Sequence, residues 1–444
     1  MTIITEQHAK ELLSKVLAFS KADECECNLD SKTGGNIRYA RNTVSTSGQE
    51  SDIILAVQST FGKRTGVATI NEFDDASLEK VVRRSEELAK LAPENAEYMP
   101  LFPKQSYLKA NTYFASTARV TPENRAQAAE DSIKPSKKNK LVAAGFLEDE
   151  VTVSAIINSK GLFAYNTSTN VDFSVTIRSE DGKGSGWTSA NYSDYQLLDT
   201  AKLSQIAIKK SIRSIDAKAM EPGKYTVILE PAASVDLLEN MMRAFDQRSA
   251  DEGRSFLSNK VAEGQQGSKN KLGQKMFDER VHIYSDPQHP IAPTAPFAGN
   301  GYPLGRIDWI KEGKISNMPN SPYWAKHTKR EYLPRPANII MSGGDESLQE
   351  MIKNTRRGVL VTRLWYIRSL DPQTLLYTGL TRDGTFYIEN GKIKYPIKNF
   401  RFNESPIVML NNIEALGQPE RINGNMIPPM KIRDFTFSSL SDAV

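Results

Sequence analysis

Strand-type runs follow one another without an intervening helix in the first part of the chain, and this order constrains the fold most. Such runs occupy residues 24–29, 36–41, 53–58 and 64–70, with Gly34-Gly35, Gly48 and Gly62 interpreted as turns between them. Helical periodicity precedes and follows them, at residues 5–20 and 74–91. A helix, a strand meander and a second helix predict an α+β fold rather than alternating βαβ units.

The rest of the chain continues this mixed pattern. Residues 93–120 resemble a long crossing segment, and residues 142–191 alternate apolar and polar side chains as strands do. The C-terminal third is strand-rich, and Asn390-Gly391 between two alternating runs predicts a tight hairpin. We therefore expect an N-terminal helix and strand meander domain followed by a β-rich C-terminal domain with antiparallel sheets. The expected units are residues 1–120, 121–221 and 222–444.

A helix is predicted after the short strand at residues 225–229, and it begins directly after Pro231. Its apolar positions, which include Leu237, Leu238 and Met241, form a broad stripe that favours burial in the core. Two long loops follow, at residues 247–275 and 286–305. Loops of this length in a compact domain are usually functional or disordered.

The composition is that of a globular protein with balanced charge. The 444 residues include 57 basic and 53 acidic side chains, and 39% are hydrophobic. A nucleic-acid binder concentrates its basic side chains on one face, and no such concentration is visible here. No stretch approaches the 18 apolar residues of a membrane helix, and the N-terminus lacks the features of a signal peptide. We expect a cytoplasmic protein without a membrane partner.

Two cysteines, Cys25 and Cys27, lie two residues apart, so both point to one face of a strand. The four histidines include no H-E-x-x-H helix motif. One looser group, His282, Asp286 and His289, contains weak candidates for metal ligands. Two prolines in this stretch predict a turn, and polar loop residues are the simpler interpretation.

Several segments, taken in order, resemble the TldD/PmbA (modulator of gyrase) peptidase family. They are Ile37-Arg-Tyr-Ala-Arg41 with Gly62-Lys-Arg-Thr-Gly-Val-Ala-Thr69, Gly273-Gln-Lys-Met-Phe-Asp-Glu-Arg-Val-His-Ile-Tyr-Ser-Asp-Pro287, Pro334-Arg-Pro-Ala-Asn338 with Ser342-Gly-Gly344, and Phe386-Tyr-Ile-Glu-Asn-Gly-Lys-Ile-Lys-Tyr395 with Pro396-Ile-Lys-Asn-Phe-Arg401. Each segment is moderately specific, and their common order and spacing carry the resemblance.

The resemblance implies two kinds of subunit. The TldD type holds a catalytic zinc with an H-E-x-x-x-H helix and a later cysteine, whereas the PmbA (TldE) type has the same fold without those ligands. The corresponding positions in this chain are Glu239, Asn240 and Ala244, and no cysteine follows Cys27. Zinc hydrolases need three protein ligands and an open position. The chain therefore resembles the PmbA type, or a divergent third type, and the resemblance implies no catalytic residue and no cofactor of its own.

Three interpretations of function remain open. The first is a PmbA-like subunit of a peptidase system acting on unfolded or precursor peptides, forming a homodimer alone or a heterodimer with a zinc-bearing TldD-like subunit. The second is a self-sufficient metallopeptidase with a different ligand set. The third is a peptide-binding or gyrase-modulating regulator.

Overall fold

The computed structural model describes residues 3–259 and 269–441 and confirms the α+β class. The helices of the first half are α1 (Glu6–Phe19), α2 (Asp75–Leu91), α3 (Ala115–Ala118), α4 (Pro122–Lys138) and α5 (Thr200–Arg213), with a short 3₁₀ turn at Tyr195–Leu197. The strands of this half are β1 (Glu24–Ala40), β2 (Thr43–Phe61), β3 (Arg64–Ile70), β4 (Leu141–Asn158), β5 (Phe163–Ser179) and β6 (Ser185–Tyr192).

These six strands form one antiparallel sheet in the order β3-β2-β1-β4-β5-β6. Helices cover one face of it. Near one end α1 and α2 pack on an apolar cluster that includes Cys25, Cys27 and Leu29, which confirms that both cysteines point to the same face. Near the other end an apolar cluster includes Tyr39 and Phe173 on the strands and contributions from α4 and α5.

Three glycines that we interpreted as turns lie inside strands, so those predictions were wrong. Gly34 and Gly35 are part of β1 and Gly48 is part of β2, and the two runs before and after Gly34 are one continuous strand. A Cβ on Gly34 would lie 2.1 Å from the carbonyl oxygen of Asp149, and one on Gly35 would strike the Arg125 guanidinium. Gly34 and Gly35 therefore allow close approach within the sheet rather than a change of direction.

Arg125 of α4 uses the space left by Gly35 to reach the middle of the sheet. Its Nε and Nη2 donate to the two carboxylate oxygens of Asp149 on β4, at 2.5 and 2.9 Å, and both side chains are buried. A buried carboxylate needs a partner of this kind, because an unpaired buried charge is strongly destabilising. The ion pair fixes α4 to the sheet.

The second half contains short helices and many strands. The helices are α6 (Pro231–Arg243), α7 (Gln247–Asp251), α8 (Pro322–Thr328), α9 (Leu348–Lys353) and α10 (Pro406–Asn411). The strands are β7 (Gly223–Leu229), β8 (Ile283–Ser285), β9 (Ile307–Lys311), β10 (Lys314–Ile315), β11 (Ile340–Met341), β12 (Arg357–Asp371), β13 (Leu376–Glu389), β14 (Lys392–Pro396), β15 (Phe400–Glu404), β16 (Ile413–Leu416), β17 (Glu420–Ile422), β18 (Asn425–Ile427) and β19 (Met430–Leu440).

Five of these strands close into a barrel in the order β12-β7-β19-β15-β13, because β13 also pairs with β12. A second sheet has the order β10-β9-β8-β11-β18-β17. The predicted hairpin is confirmed: β13 and β14 are joined by Asn390 and Gly391, both at positive φ. Within the described residues, no helix is long and apolar enough to cross a membrane.

The predicted loop at residues 247–275 was partly wrong, since it begins with α7. Asp246 caps this helix by accepting from the N–H of Ser249. Part of the predicted loop, residues 260–268, lies outside the described residues. The predicted loop at residues 286–305 has neither helix nor strand.

A buried carboxylate joins the N-terminal sheet to the barrel. Asp383 of β13 accepts a hydrogen bond from Ser185 of β6 at 2.5 Å and one from Arg363 of β12 at 2.7 Å. The Arg363 guanidinium lies 4.4 Å from the ring centre of Trp187 on β6. Because this carboxylate is paired on both sides, it connects the two halves of the chain through charge-assisted hydrogen bonds.

Helix α6 packs against β12 and against the β17–β18 pair. Its apolar stripe lies in the largest core cluster, where Leu238 is fully buried.

We expect Leu238→Ala to lower the free energy of unfolding by about 2–5 kcal/mol, because the truncation leaves a cavity in the core. Denaturant unfolding measures this. Leu91→Ala, at an 82% exposed position of α2, is the control, and equal stability of the two variants would contradict the packing.

Candidate functional site

The polar side of α6 faces away from the core and carries two of the three sequence-predicted site positions, Glu239 and Asn240. Pro231 occupies the first helical turn directly after β7, and the buried residues fix the rotation of the helix about its axis. Asp236, Glu239, Asn240 and Arg243 recur at spacings of three and four, so they lie along one side. Each of these side chains is only partly buried or exposed.

Glu239 is engaged on both carboxylate oxygens. Its Oε1 accepts a hydrogen bond from Nδ2 of Asn425 on β18 at 2.9 Å, and its Oε2 lies 3.4 Å from Nη1 of Arg243 one turn later. The side chain is 23% exposed. The first site position is thus a half-buried carboxylate held between an amide and a guanidinium.

The other two predicted positions are also occupied by local contacts. Asn240 donates from Nδ2 to the carbonyl of Asp236 at 2.8 Å, and its Oδ1 accepts from Arg243 at 2.9 Å. Ala244 ends the helix and packs against the core. A methyl group offers no lone pair, so the position of Ala244 cannot supply a ligand atom to a metal ion.

A cavity of about 300 Å³ opens beside this side of α6. Its lining combines charged groups with amides: Glu239, Met242, Arg243, Arg335, Pro336, Ala337, Asn338, Ile339, Asn423 and Asn425. Arg335 donates to the carbonyls of Arg243 and Phe245 at the end of α6. This contact satisfies carbonyls that have no partner within the helix and places a cation at its negative end.

Two asparagines fix the wall of the cavity. Asn338 donates to the carbonyls of Asp286 and Ala292, at 2.8 and 2.7 Å, and so ties the loop at residues 286–305 to this site. Asn425 accepts from the N–H of Ile339 at 2.8 Å while it donates to Glu239. The cavity wall is therefore held by amide hydrogen bonds from side chain to backbone.

Asp236, on the same side of α6 as Glu239, has a raised pKa. Burial raises the pKa of Asp236, and the nearby Glu239 charge raises it further, while Arg243 and Arg363 act in the opposite direction.

At the start of α6, Lys210 of α5 lies 2.7 Å from Glu230. This ion pair connects the N-terminal half of the chain to the helix that carries the site.

The three weak metal candidates lie on either side of β8, with His282 before it and Asp286 and His289 after it, and each has another partner. His282 Nε2 lies 3.0 Å from Asp308, Asp286 accepts from the N–H of Gln288, and His289 Nδ1 accepts from the backbone of residues 291 and 292. In the part of the chain that the structure describes, no group of three or more His, Cys, Asp or Glu side chains is arranged to hold a metal ion.

Comparison with known families covers most of the chain. Family models for the PmbA/TldA metallopeptidase match in three consecutive parts: domain 1 at residues 25–89, the central domain at 119–215 and the C-terminal domain at 222–439.

The chain belongs to the PmbA/TldD metallopeptidase family.

Two named relatives support this membership. A protein named Metalloprotease PmbA from Escherichia coli O157:H7 is 20% identical over 442 residues, which is 94% of this chain and 93% of the relative. A protein named Metalloprotease from Methanothermobacter thermautotrophicus is 20% identical over 296 residues. That alignment spans 62% of each chain, less than two thirds of the relative.

Solved structures have the same fold. TldE from Thermococcus kodakarensis superposes with a TM-score of 0.86 at 18% identity, covering 97% of this chain and all of that one. A proposed modulator of a DNA gyrase from Thermotoga maritima superposes with a TM-score of 0.85 at 17% identity, with the same coverage. At this identity the likeness establishes the fold alone.

The PmbA/TldD fold brings together residues that the sequence did not single out as a site. Arg335 and Asn338 lie in one of the segments that carried the resemblance, but their contact with α6 depends on the folded chain. Asn425 follows an Asn423-Gly424 turn in which both residues have positive φ. That dipeptide is a visible hairpin signal, although nothing local indicates that the next side chain reaches Glu239.

His289 provides a pH test of this region. Burial lowers the pKa of its imidazole, and the charges of Arg421 and Arg306 lower it further against the effect of Asp286. The neutral ring accepts two backbone N–H bonds, and a protonated ring cannot accept them at Nδ1. The hydrogen bonds to the neutral ring therefore stabilise the folded state fully above the ordinary histidine pKa. This stabilisation is lost as the pH falls through the lowered pKa of His289.

We expect the thermal midpoint of the wild type to fall more steeply between neutral and mildly acidic pH than that of His289→Asn. The asparagine retains an oxygen acceptor but does not titrate. Thermal unfolding at a series of pH values measures the difference, with His8→Asn on the exposed side of α1 as the control. Parallel curves for the wild type and His289→Asn would contradict the assignment.

Proposed function

We propose that this chain is a peptide-holding, non-catalytic subunit of a cytoplasmic PmbA/TldD peptidase system, with the zinc supplied by a partner subunit. The observation that carries the proposal is the contact set of Glu239, Asn240 and Ala244. The resemblance assigns zinc ligands and a base to these positions, and here they bear a paired carboxylate, a paired amide and a methyl group. A bound zinc lowers the pKa of its water only with a suitable ligand set.

The cavity beside α6 supports binding of a peptide backbone. A peptide presents alternating N–H donors and C=O acceptors, and the lining offers both kinds of group through its amides, Glu239, Arg243 and Arg335. Arg243 is 64% exposed at this cavity, so its guanidinium is accessible to a ligand while still paired with Glu239. An unfolded segment matches this chemistry better than a compact apolar ligand does.

The proposal is tested with Arg243→Ala and a short unstructured peptide labelled with fluorescein. We expect binding to weaken roughly three- to tenfold, which corresponds to the loss of about one hydrogen bond. Fluorescence anisotropy gives the affinity, and mass spectrometry of the incubated peptide shows whether it remains intact.

Arg84→Ala is the matched control, because Arg84 is 62% exposed on α2 and pairs with Glu87 in the same helix. It should bind the peptide as the wild type does. Equal affinities for the two variants would contradict a peptide site at this cavity. Cleavage of the peptide by the chain alone would instead support the self-sufficient metallopeptidase.

A further inference from the structure

The outer surface of the β12–β13 hairpin carries exposed aromatic side chains. Trp365 is 45% exposed and Tyr366 is 60% exposed, and the backbone of Tyr366 has a φ of 56°. This positive φ coincides with a shift in the pairing of β12 with β13 between Trp365 and Arg368. Bulges of this kind reorient the side chains next to them and are frequent beside functional sites. Large exposed rings at such a position are typical of a surface that binds a partner.

Arginine side chains stack on these rings. The Arg363 guanidinium lies 4.4 Å from the ring centre of Trp187 and 5.0 Å from that of Trp365. The Arg382 guanidinium also lies 5.0 Å from the ring centre of Trp365. A cation near the face of an aromatic ring is attracted by the ring electrons, so these contacts hold the guanidinium groups in place.

The strand register brings three arginines to one side of the sheet. Successive rows of paired residues on this side each contribute one arginine: Arg382 opposite Arg363, Arg401 in the row of Trp365 and Leu380, and Arg368 opposite Thr378. Leu364 and Phe402, which alternate with these rows, point into the core, so this side faces outward. Rows on one side are two residues apart, which is about 6.5 Å along a strand. The arginine–aromatic surface consists of Trp365, Tyr366, Arg368, Arg382 and Arg401.

Positive charge exceeds negative charge on this surface. Asp383 accepts a hydrogen bond from Arg363 at 2.7 Å, whereas Nε of Arg382 lies 3.7 Å from Asp383 and has no hydrogen-bond partner among the described residues. Arg368 and Arg401 form no ion pair with any residue that the structure describes. One buried carboxylate therefore serves two guanidinium groups, and two further arginines are available to an anionic ligand.

We propose that the arginine–aromatic surface binds an extended acidic segment of a polypeptide, with Asp or Glu side chains at alternate positions. Alternate side chains of an extended chain point to one side and lie about 6.5 Å apart, which matches the spacing of the arginine rows. Arginine binds a carboxylate through two parallel hydrogen bonds. The peptide backbone between the carboxylates packs over Trp365 and Tyr366.

The neighbouring face of the N-terminal sheet favours a short acidic peptide over a nucleic acid. Trp187 and Asn191 lie four residues apart on β6 and point to one face, and Asn191 donates to Asp172 of β5 at 3.4 Å. Burial raises the pKa of Asp172, and the charges of Glu148 and Glu150 raise it further. A phosphate backbone that continued from the arginines onto this face would meet these carboxylates, whereas a few acidic residues end before it.

The inference goes beyond peptide holding at α6. Arg368, Arg382 and Arg401 are not among the residues that line the cavity beside α6. The arginine–aromatic surface recognises acidic side chains, whereas the cavity offers groups for a peptide backbone. Each surface can therefore be tested without the other.

Three fluorescein-labelled probes test the ligand chemistry by fluorescence anisotropy. They are a peptide with glutamates at alternate positions, the same peptide with glutamines instead, and a single-stranded oligothymidine with the charge of the glutamate peptide. We expect the glutamate peptide to bind most tightly and its affinity to fall as salt is added, because salt screens exposed ion pairs. Equal affinities for the two peptides, or tighter binding of the oligothymidine, would overturn the proposal.

Arg368→Gln and Arg401→Gln test the position of the surface. Each should weaken binding of the glutamate peptide about two- to fivefold, as expected for the loss of an exposed ion pair, and the double variant should weaken it on the order of tenfold. Arg119→Gln is the matched control, because Arg119 is exposed in the N-terminal half. A double variant that binds as tightly as Arg119→Gln would show that the acidic peptide binds elsewhere.

Arg243→Ala separates this surface from the cavity beside α6. It should leave the ratio of the affinities for the glutamate and glutamine peptides unchanged, whatever it does to peptide binding at the cavity. If the ratio falls to one in Arg243→Ala and persists in the double variant, the cavity recognises the acidic side chains and the inference is wrong.

Discussion

The packing of α6 on the barrel is the interaction on which the candidate site depends. Leu237, Leu238 and Met241 are fully buried in the core, so the helix has one rotation about its axis. The same rotation turns Glu239 and Arg243 toward the cavity. Because β7 leads directly into α6 and lies between β12 and β19 in the barrel, the backbone position of the site is set by the barrel itself. The chemistry of the site then depends on the side chains of the polar face together with those that line the opposite wall, such as Arg335 and Asn425.

The barrel sets the backbone position of the site, whereas the side chains set its chemistry. The same fold can therefore serve different functions. A zinc hydrolase needs donor atoms that converge on one point and an open coordination position. In this chain the corresponding side chains satisfy one another and their neighbours, as the Glu239–Asn425 hydrogen bond shows. The remaining cavity combines carboxylate, guanidinium and amide groups, which is the character expected of a surface that binds peptide backbone. Family membership establishes the fold, whereas the side chains support the peptide-holding proposal.

The sequence predicts elements whose signals are local. The apolar stripe of Leu237, Leu238 and Met241 is buried as its helical spacing predicts, and Asn390-Gly391 forms the predicted hairpin because both residues accept positive φ. Gly34 and Gly35 were misread because their role depends on Asp149 and Arg125, which lie far away in the sequence. The lining of the cavity could not be predicted for the same reason, because its residues are far apart in the sequence. Glu239 was identified through the resemblance, but its partner Asn425 comes from a strand 186 residues later, a distance that no periodicity or motif reveals.

We propose that the chain holds peptide but depends on another subunit for zinc and hydrolysis. The most direct measurement is peptide hydrolysis by a zinc-bearing TldD-type subunit while this chain is titrated in, with zinc determined by elemental analysis on each protein beforehand. We expect no stoichiometric zinc and no hydrolysis for this chain alone, and a rate that rises and saturates as the complex forms. One zinc per chain retained after dialysis against a weak chelator, with hydrolysis by the chain alone, would contradict it. A partner rate that stays unchanged across the titration would contradict it as well.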